Sequence, residues 1–368
     1  MGAIRCYTEV SGRGQSRGLA PLAISLILYG RTLEQTIDRH ERATFVKELV
    51  VTSGRIPLAM VRKRLASNDG GTSAPVLLVH GFGQNRYAWH LPSRSLSNHL
   101  SKSGFDVFNL DLRGHGRSRH FGARAPRSVD DYITEDIPIA IEEILQHTGG
   151  RAPYLVGHSL GGLVGYGAAP ILGANLRGIV SIGSPYHFTR GSLSLQAIGV
   201  FFEAMRLARV PTTSLPVPVR LAGTLMRTIR RVADSPFYPI PIRGWHAGSL
   251  EPHVLDEHFR LAFDRAGLTE LRDMFAWGAS KRFGGHATDY VERFETLDIP
   301  LLVIAGQNDD LAPPASVRPA FERSRSKDKA YKTVPLGHID LLVGRDAPLA
   351  TWPMVSNWIA SRAAGVCA

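Results

Sequence analysis

The chain has 368 residues, a net charge of +11, 44% hydrophobic residues and 20% charged residues. That balance excludes a disordered or low-complexity chain and suits one large soluble domain, or a domain with a sizeable insertion. Two cysteines, Cys6 and Cys367, exclude a disulfide framework and a cysteine-based metal cluster.

The basic excess is carried mostly by arginine and is scattered, with local clusters at Arg227, Arg230 and Arg231 and at Arg323, Arg325 and Lys327. No zinc-finger, recognition-helix or RNA-binding pattern accompanies it, so no nucleic-acid partner is expected. A solvated basic surface is the plain reading, and such a surface also suits acidic partners or an anionic membrane.

The first element in chain order is the apolar run Leu19–Tyr29, preceded by Arg5, Arg13 and Arg17. It is too short to span a bilayer. It reads as a helix packed on the domain or lying at a membrane surface. A signal segment stays open as the alternative, although Gly30-Arg31-Thr32 follows rather than an A-x-A-like cleavage site. The chain is accordingly read as cytoplasmic or membrane-associated, with secretion left open. Thr32–Arg42 reads as a polar helix, and residues 1–47 as an N-terminal extension.

Leu49–Thr52 and Leu58–Leu65 then suggest a hairpin, and Asn68-Asp69-Gly70-Gly71 a turn. Val76–Val79 is a short buried strand entering His80-Gly81-Phe82-Gly83. A helix is expected over Ala88–Ser103, a strand over Phe105–Leu110, and a helix over Val129–His147, where Ile133, Ile137, Ile141, Ile144 and Leu145 recur at helical spacing. Tyr154–Val156 reads as a strand, 162–169 as a closely packed helix of small residues, and Gly178–Ile182 as a strand. This alternation predicts an α/β architecture, a mostly parallel sheet with helices on both faces. From Pro185 the rhythm breaks. Proline-jointed helical pieces fill the next hundred residues, one around Phe201 and Phe202 and a basic amphipathic one over Val219–Val232. Strands return at Pro300–Ala305 and Ala330–Val334, and a helix over Leu349–Ala364 closes the chain. The division is therefore 1–47 extension, 48–186 and 291–368 core, and 187–290 helical insertion.

Chemistry concentrates at Gly157-His158-Ser159-Leu160-Gly161. A G-x-S-x-G pattern between a strand and a helix is a nucleophile elbow, a sharp turn that lifts the serine hydroxyl above the sheet edge. A hydroxyl is a weak nucleophile near neutral pH and needs a base, and the base needs an orienting acid. In chain order Ser, acid, His, the acid is Asp309, just past a late strand, and the base is His338, in a short loop after the last strand. Asp310 is the competing acid, but the Gly-x-x-Asp spacing from Gly306 favours Asp309 and leaves Asp310 facing water. Asp340 reads as a capping or loop residue. The backbone amides of Phe82 and Leu160 are the expected oxyanion donors.

These motifs, with Gly337-His338 and the loop Asp111-Leu112-Arg113-Gly114-His115-Gly116-Arg117-Ser118, resemble those of the α/β-hydrolase superfamily over residues 48–186 and 291–368. The loop is structural in such proteins and is assigned no catalysis. The tail Gly337–Gly344 with Ala347-Pro348 is similar to the ends of lipase-type members and of proteins related to polyhydroxyalkanoate synthases. Those synthases use cysteine where Ser159 stands, and dehalogenase and epoxide-hydrolase relatives use aspartate. The resemblance implies a cap over the site, with Phe201, Phe202, Met205, Leu225, Met226, Phe237, Tyr238 and Trp245 as candidates to line an acyl pocket. Of these, Phe201, Phe202 and Trp245 are the chosen substrate contacts.

The expectation is thus a serine hydrolase of carboxylic esters, esterase- or lipase-like, acting on a small-molecule or lipid-like ester with a medium or long apolar acyl chain. It requires no metal or organic cofactor. Peripheral membrane contact through the basic cap helix is a further expectation. Acyl transfer by the same residues, and a ligand-binding scaffold with a vestigial triad, are the alternatives. Oligomeric state is not legible.

Overall fold

The computed structural model describes residues 26–67, 73–208, 243–280 and 290–364, with a few positions between 216 and 235. Nine strands form one sheet in the order β1-β2-β3-β5-β4-β6-β7-β10-β11. They are β1 (Leu26–Asp38), β2 (Glu41–Val51), β3 (Ala59–Leu65), β4 (Pro75–Val79), β5 (Asp106–Asp111), β6 (Tyr154–His158), β7 (Gly178–Ile182), β10 (Leu301–Gly306) and β11 (Lys329–Val334). From β5 to β11 every pairing is parallel, while β1–β2, β2–β3 and β3–β5 are antiparallel. The chain has the α/β-hydrolase fold that the alternation and motifs predict.

Alternation along the central strands divides the core between the two faces of the sheet. On β4, Leu77 and Val79 enter one apolar cluster with Phe108 and Leu110 of β5. Val76 and Leu78 enter the other with Val107. The first face is covered by α3 (Ile137–His147) and α4 (Leu160–Leu172), through residues such as Ile141, Ile144, Leu163 and Tyr166. The second is covered by α1 (Leu96–Lys102) and α7 (Thr351–Ala363), through Leu96, Leu100, Trp352, Val355 and Ile359. Both faces being buried explains why these strands read as continuous apolar runs.

Several expectations need correction. The polar helix expected over Thr32–Arg42 is strand: β1 and β2 form a hairpin whose turn lies at Arg39–His40. Residues 26–47, set apart in the sequence as an extension, therefore belong to the sheet. Leu26–Tyr29 begins β1 and is not helical, while residues 19–25 lie outside the described residues. The helix expected from Ala88 is short. A single 3-10 turn, Arg86–Ala88, precedes a break at Pro92, and the α-helix begins only after Ser95, whose hydroxyl caps it by accepting the Asn98 amide at 3.0 Å. Proline removes the donor that a continuous helix would need.

In the insertion, α5 (Leu193–Leu207) packs against α6 (Leu268–Ser280), and Phe202 stacks on Phe275 at 4.8 Å. A two-residue ladder joins β8 (Pro216–Val217) to β9 (Ala266–Gly267), a small strand pair where none is expected. The basic helix expected over Val219–Val232 lies largely outside the described residues. Among the described residues no helix is long and apolar enough to cross a membrane.

Candidate active site

Ser159 sits between β6 and α4 with φ +54° and ψ −122°, a conformation disfavoured for a residue with a Cβ. Its amide is held by the Ile182 carbonyl at 3.0 Å, and its carbonyl accepts the amides of Gly162 and Leu163 at 3.1 and 3.3 Å. The flanking glycines are steric necessities. A Cβ on Gly157 would run into the Gly161–Gly162 backbone, and one on Gly161 into the carbonyls of Val79 and His80. Gly161→Ala is therefore expected to push the end of β4 away from the elbow. Overpacking of this kind costs about 1–3 kcal/mol, measurable as a lowered urea midpoint with unchanged m-value. An unchanged midpoint would contradict the close approach.

His338 and Asp309 come together at the carboxyl ends of β11 and β10. His338 Nδ1 donates to Asp309 Oδ2 at 2.7 Å, with both side chains buried. The second carboxylate oxygen, Oδ1, accepts the amides of Leu311 at 2.9 Å and Ala312 at 2.7 Å, so the acid is fixed from both ends. Gly183, at φ +54° after β7, leaves the room this pair occupies: a Cβ there would lie 3.3 Å from Asp309 Oδ2 and 3.5 Å from His338 Nδ1. Asp310 is exposed and its carboxylate accepts the Arg243 amide at 3.2 Å. Asp340 is fully buried and accepts the amides of Gly337 at 2.8 Å and His246 at 2.6 Å, tying the histidine loop to the segment around His246.

His158, beside the serine, donates from Nε2 to the His338 carbonyl at 3.1 Å, and the two rings lie 4.6 Å apart. Burial holds it neutral, well below the usual histidine range, with the neighbouring His338 adding to the effect.

The turn after β4 is held by residues of the insertion. Gly81 donates its amide to Gln84 Oε1 at 3.2 Å, and the Gln84 side-chain nitrogen lies 3.3 Å from His258 Nε2. Gly83 accepts the Asp264 amide at 2.8 Å. Among the described residues no hydrogen bond takes up the amide of Phe82 or of Leu160. Leu160 is the first residue of α4, where the helix field favours negative charge.

Ser159, Phe82, Gln84 and His338 share a cavity of about 360 Å³. Its walls are almost wholly apolar and include Phe188, Leu195, Ile198, Phe202, Phe263 and Phe275. Of the three chosen substrate contacts only Phe202 lines it. Phe201 is 62% exposed, because neighbours on a helix are turned about 100° apart and α5 turns Phe202 toward the cavity. Trp245 is buried in the core against Phe259, its indole N–H donating to Asp234 at 3.2 Å. Leu225 is exposed, while Met226, Phe237, Tyr238 and the side chain of Met205 lie outside the described residues. The wall residues Leu195, Ile198 and Phe275 are not among the expected contacts. The helical spacing of Leu195 and Ile198 with Phe202 is the signal the sequence offers, whereas Phe275 comes from a different helix.

The loop Asp111–Ser118 is a structural brace. Asp111 accepts the amides of Arg86 and Arg117, each at 2.8 Å, and the Arg86 guanidinium at 2.6 Å; Arg113 pairs with Asp136 at 2.6 Å.

Acid is expected to loosen this assembly. Burial, with His338 adding to it, depresses His258 to about 4 from an ordinary 6.5. The unfolded chain therefore binds a proton first, and stability present above pH 6.5 is lost as pH falls toward 4, by about 3 kcal/mol from this group. Asp340, pushed up to about 6 by burial, acts in the opposite sense by a similar amount, so the contribution of His258 is read as a difference between variants. Urea unfolding at pH 7 and pH 4.5 should show a larger fall in stability for the native chain than for His258→Gln. An equal slope in the variant would remove His258 from this role.

A family model for the alpha/beta hydrolase fold matches residues 74–213. The poly(3-hydroxyalkanoate) polymerase subunit PhaC of Haloferax mediterranei is 25% identical, over 94% of this chain and 73% of its own length. Lipase member K of Homo sapiens is 24% identical, over 76% of this chain and 78% of its own. The crystal structure of Paleococcus ferrophilus monoacylglycerol lipase superposes with a TM-score of 0.54 at 19% identity, covering 91% of this chain and 100% of that one.

Proposed function

From a chain that has the α/β-hydrolase fold and is similar to lipases and esterases, we propose a serine hydrolase that cleaves carboxylic esters through an acyl-enzyme. The observation that carries this is the Asp309–His338 hydrogen bond at the edge of the apolar cavity onto which Ser159 opens.

Ser159 Oγ attacks the ester carbonyl carbon as His338 Nε2 takes its proton. Asp309, bonded to Nδ1, keeps Nε2 free to accept and stabilises the imidazolium. Charge on the former carbonyl oxygen meets the amides of Phe82 and Leu160, each worth about 2.7–4 kcal/mol in the transition state. The carbon–oxygen bond to the alcohol then breaks, and His338 returns the proton to the leaving oxygen. Water enters, gives its proton to His338 and attacks the acyl-enzyme, and Ser159 leaves with that proton. No metal or organic cofactor has a step in this scheme. The apolar walls favour an apolar acyl chain of medium or greater length, and the polar rim near Gln84 lies at the reacting end.

Hydrolysis of p-nitrophenyl esters from acetate to palmitate tests the reading. Ser159-dependent turnover with an optimum beyond acetate is expected. Phe202→Ala should move the optimum to longer chains, changing relative kcat/KM by about tenfold. Absence of Ser159-dependent turnover on every ester, with no labelling of Ser159 by a fluorophosphonate, would leave a binding scaffold.

Similarity to a polymerase subunit along nearly the whole chain favours one second reading, transfer of the acyl group to an alcohol or hydroxyacyl acceptor. Product analysis with added alcohol separates the two. Ester product exceeding acid product supports transfer.

A further inference from the structure

The structure carries a cationic face that the proposed chemistry leaves unused. On one side of the sheet Arg31 and Lys47 stand directly opposite one another across β1 and β2, while Lys63, next in register on β3, is buried and donates to Asn98 at 2.7 Å. Like charges in cross-strand register are destabilising, and neither Arg31 nor Lys47 has an ion pair among the described residues. Lys47 is depressed to about 8 by burial and then by Arg86, Arg31 and Arg117, which places all four cations in one neighbourhood.

From there the face continues into a groove of about 530 Å³ around α2 (Gly116–His120), lined by Arg86, Arg117, Arg119, His120, Phe121 and Arg260 among others. Its only carboxylate among the described lining residues is Asp264. That carboxylate is already saturated by Arg119 at 2.6 Å, the Gly116 amide at 2.7 Å, the Arg265 amide at 2.8 Å and Asn85 at 3.2 Å. Asp111 beneath is likewise consumed by Arg86 and the Arg117 amide. The guanidinium of Arg117 and that of Arg260 have no acid partner among the described residues, and Arg260 and His120 are exposed.

Exposed aromatics flank these cations. Phe121 is 41% exposed in the groove, and Tyr29, 48% exposed at the start of β1, has the Arg31 guanidinium 5.6 Å from its ring centre. Arginines beside exposed aromatic rings suit an interface of phosphate headgroups over acyl chains. The groove is also one residue from the catalytic cavity. Gln84 and Phe263 line the cavity, while their neighbours Asn85 and Asp264 line the groove, and Gln84 and Phe263 are joined by an isolated bridge.

We propose that this face, centred on Arg117 and Arg260 and reaching Arg31 and Lys47, docks the protein on anionic phospholipid bilayers. Phosphate headgroups meet the cations and Phe121 enters the acyl boundary. The docking is a property of the surface and stands apart from whether Ser159 hydrolyses or transfers.

The test is sedimentation of the full chain with vesicles of phosphatidylcholine alone and of phosphatidylcholine with an equal share of phosphatidylglycerol. Binding to the anionic vesicles only, weakening as salt rises, is expected. Arg117→Gln/Arg260→Gln should lower the partition coefficient by about tenfold or more, and Phe121→Ser should lower it further. Arg325→Gln/Lys327→Gln removes the same charge near β11, at the opposite edge of the sheet, and should leave binding nearly intact. Arg31→Gln, on the edge strand, provides a second reading if the groove variant melts early. Soluble-ester turnover should be unchanged in all of them. No binding by the native chain, equal binding to neutral vesicles, or equal loss in the groove and control variants overturns the proposal. Binding to duplex DNA but not to vesicles overturns it as well.

Discussion

Replacing Ser159 with alanine is expected to lower kcat for ester hydrolysis by about ten-thousand- to a million-fold while KM changes little. The substitution removes one oxygen and leaves the elbow intact. The Ser159 amide stays on Ile182, and the Cβ beside Gly81 keeps its place. What is lost is the atom that forms the covalent intermediate in the proposed mechanism, and with it the purpose proposed for the His338–Asp309 pair. His338→Ala should therefore cost about as much, and the double variant should be no slower than either single one, because the three groups act as a unit. Equal additive losses would mean that Ser159 and His338 serve separate reactions. The positive φ of Ser159 adds a stability readout. A conformation held in a disfavoured region costs about 1–3 kcal/mol, and glycine relieves it. Ser159→Gly should thus be inactive yet unfold at higher urea than Ser159→Ala. If glycine and alanine unfold together, the elbow stores no strain.

The legible parts of this protein are those whose physics is local. The elbow was readable because Gly157 and Gly161 are required by contacts within a few residues and by one adjacent strand. The buried parallel strands were readable because burial on both faces makes each a continuous apolar run. Where partners came from far along the chain, the reading weakened. Thr32–Arg42 carries polar residues that suit a helix, and only pairing with Glu41–Val51 makes it strand. Pairing overrides intrinsic preference at a sheet edge. Among the acyl-pocket candidates, Phe201 and Trp245 lie away from the cavity that Phe202 lines, for a similar reason. Phe201 and Phe202 are adjacent, and which of them faces the cavity is decided by how α5 meets Phe275 on α6. Trp245 looked like a pocket aromatic, but its indole N–H has Asp234 and its ring has Phe259. The link from Gly81 through Gln84 to His258 crosses 174 residues. Nothing near Gln84 in the sequence indicates it.

Asp309→Asn should lower kcat by about ten-thousand-fold, whereas Asp310→Asn should leave it within a few-fold. The two residues are adjacent, of one type and both past the end of β10, so the contrast tests geometry rather than composition. Asp309 Oδ1 receives the amides of Leu311 and Ala312, an arrangement that requires an acceptor. An asparagine keeps its oxygen there and is forced to present its NH2 to His338 Nδ1. The imidazole then carries its proton on Nε2, the nitrogen that must accept from Ser159, and the base is blocked with every atom nearly in place. The loss should ease as pH rises and a serine alkoxide becomes accessible without the base, so the kcat profile of Asp309→Asn should climb at alkaline pH where the native profile is flat. Asp310 is exposed and among the described residues its carboxylate is hydrogen-bonded to the Arg243 amide, so its substitution touches neither tautomer nor orientation. Were Asp310→Asn the damaging change, the acid of the site would have been misassigned, and the 2.7 Å contact between Asp309 and His338 would be structural.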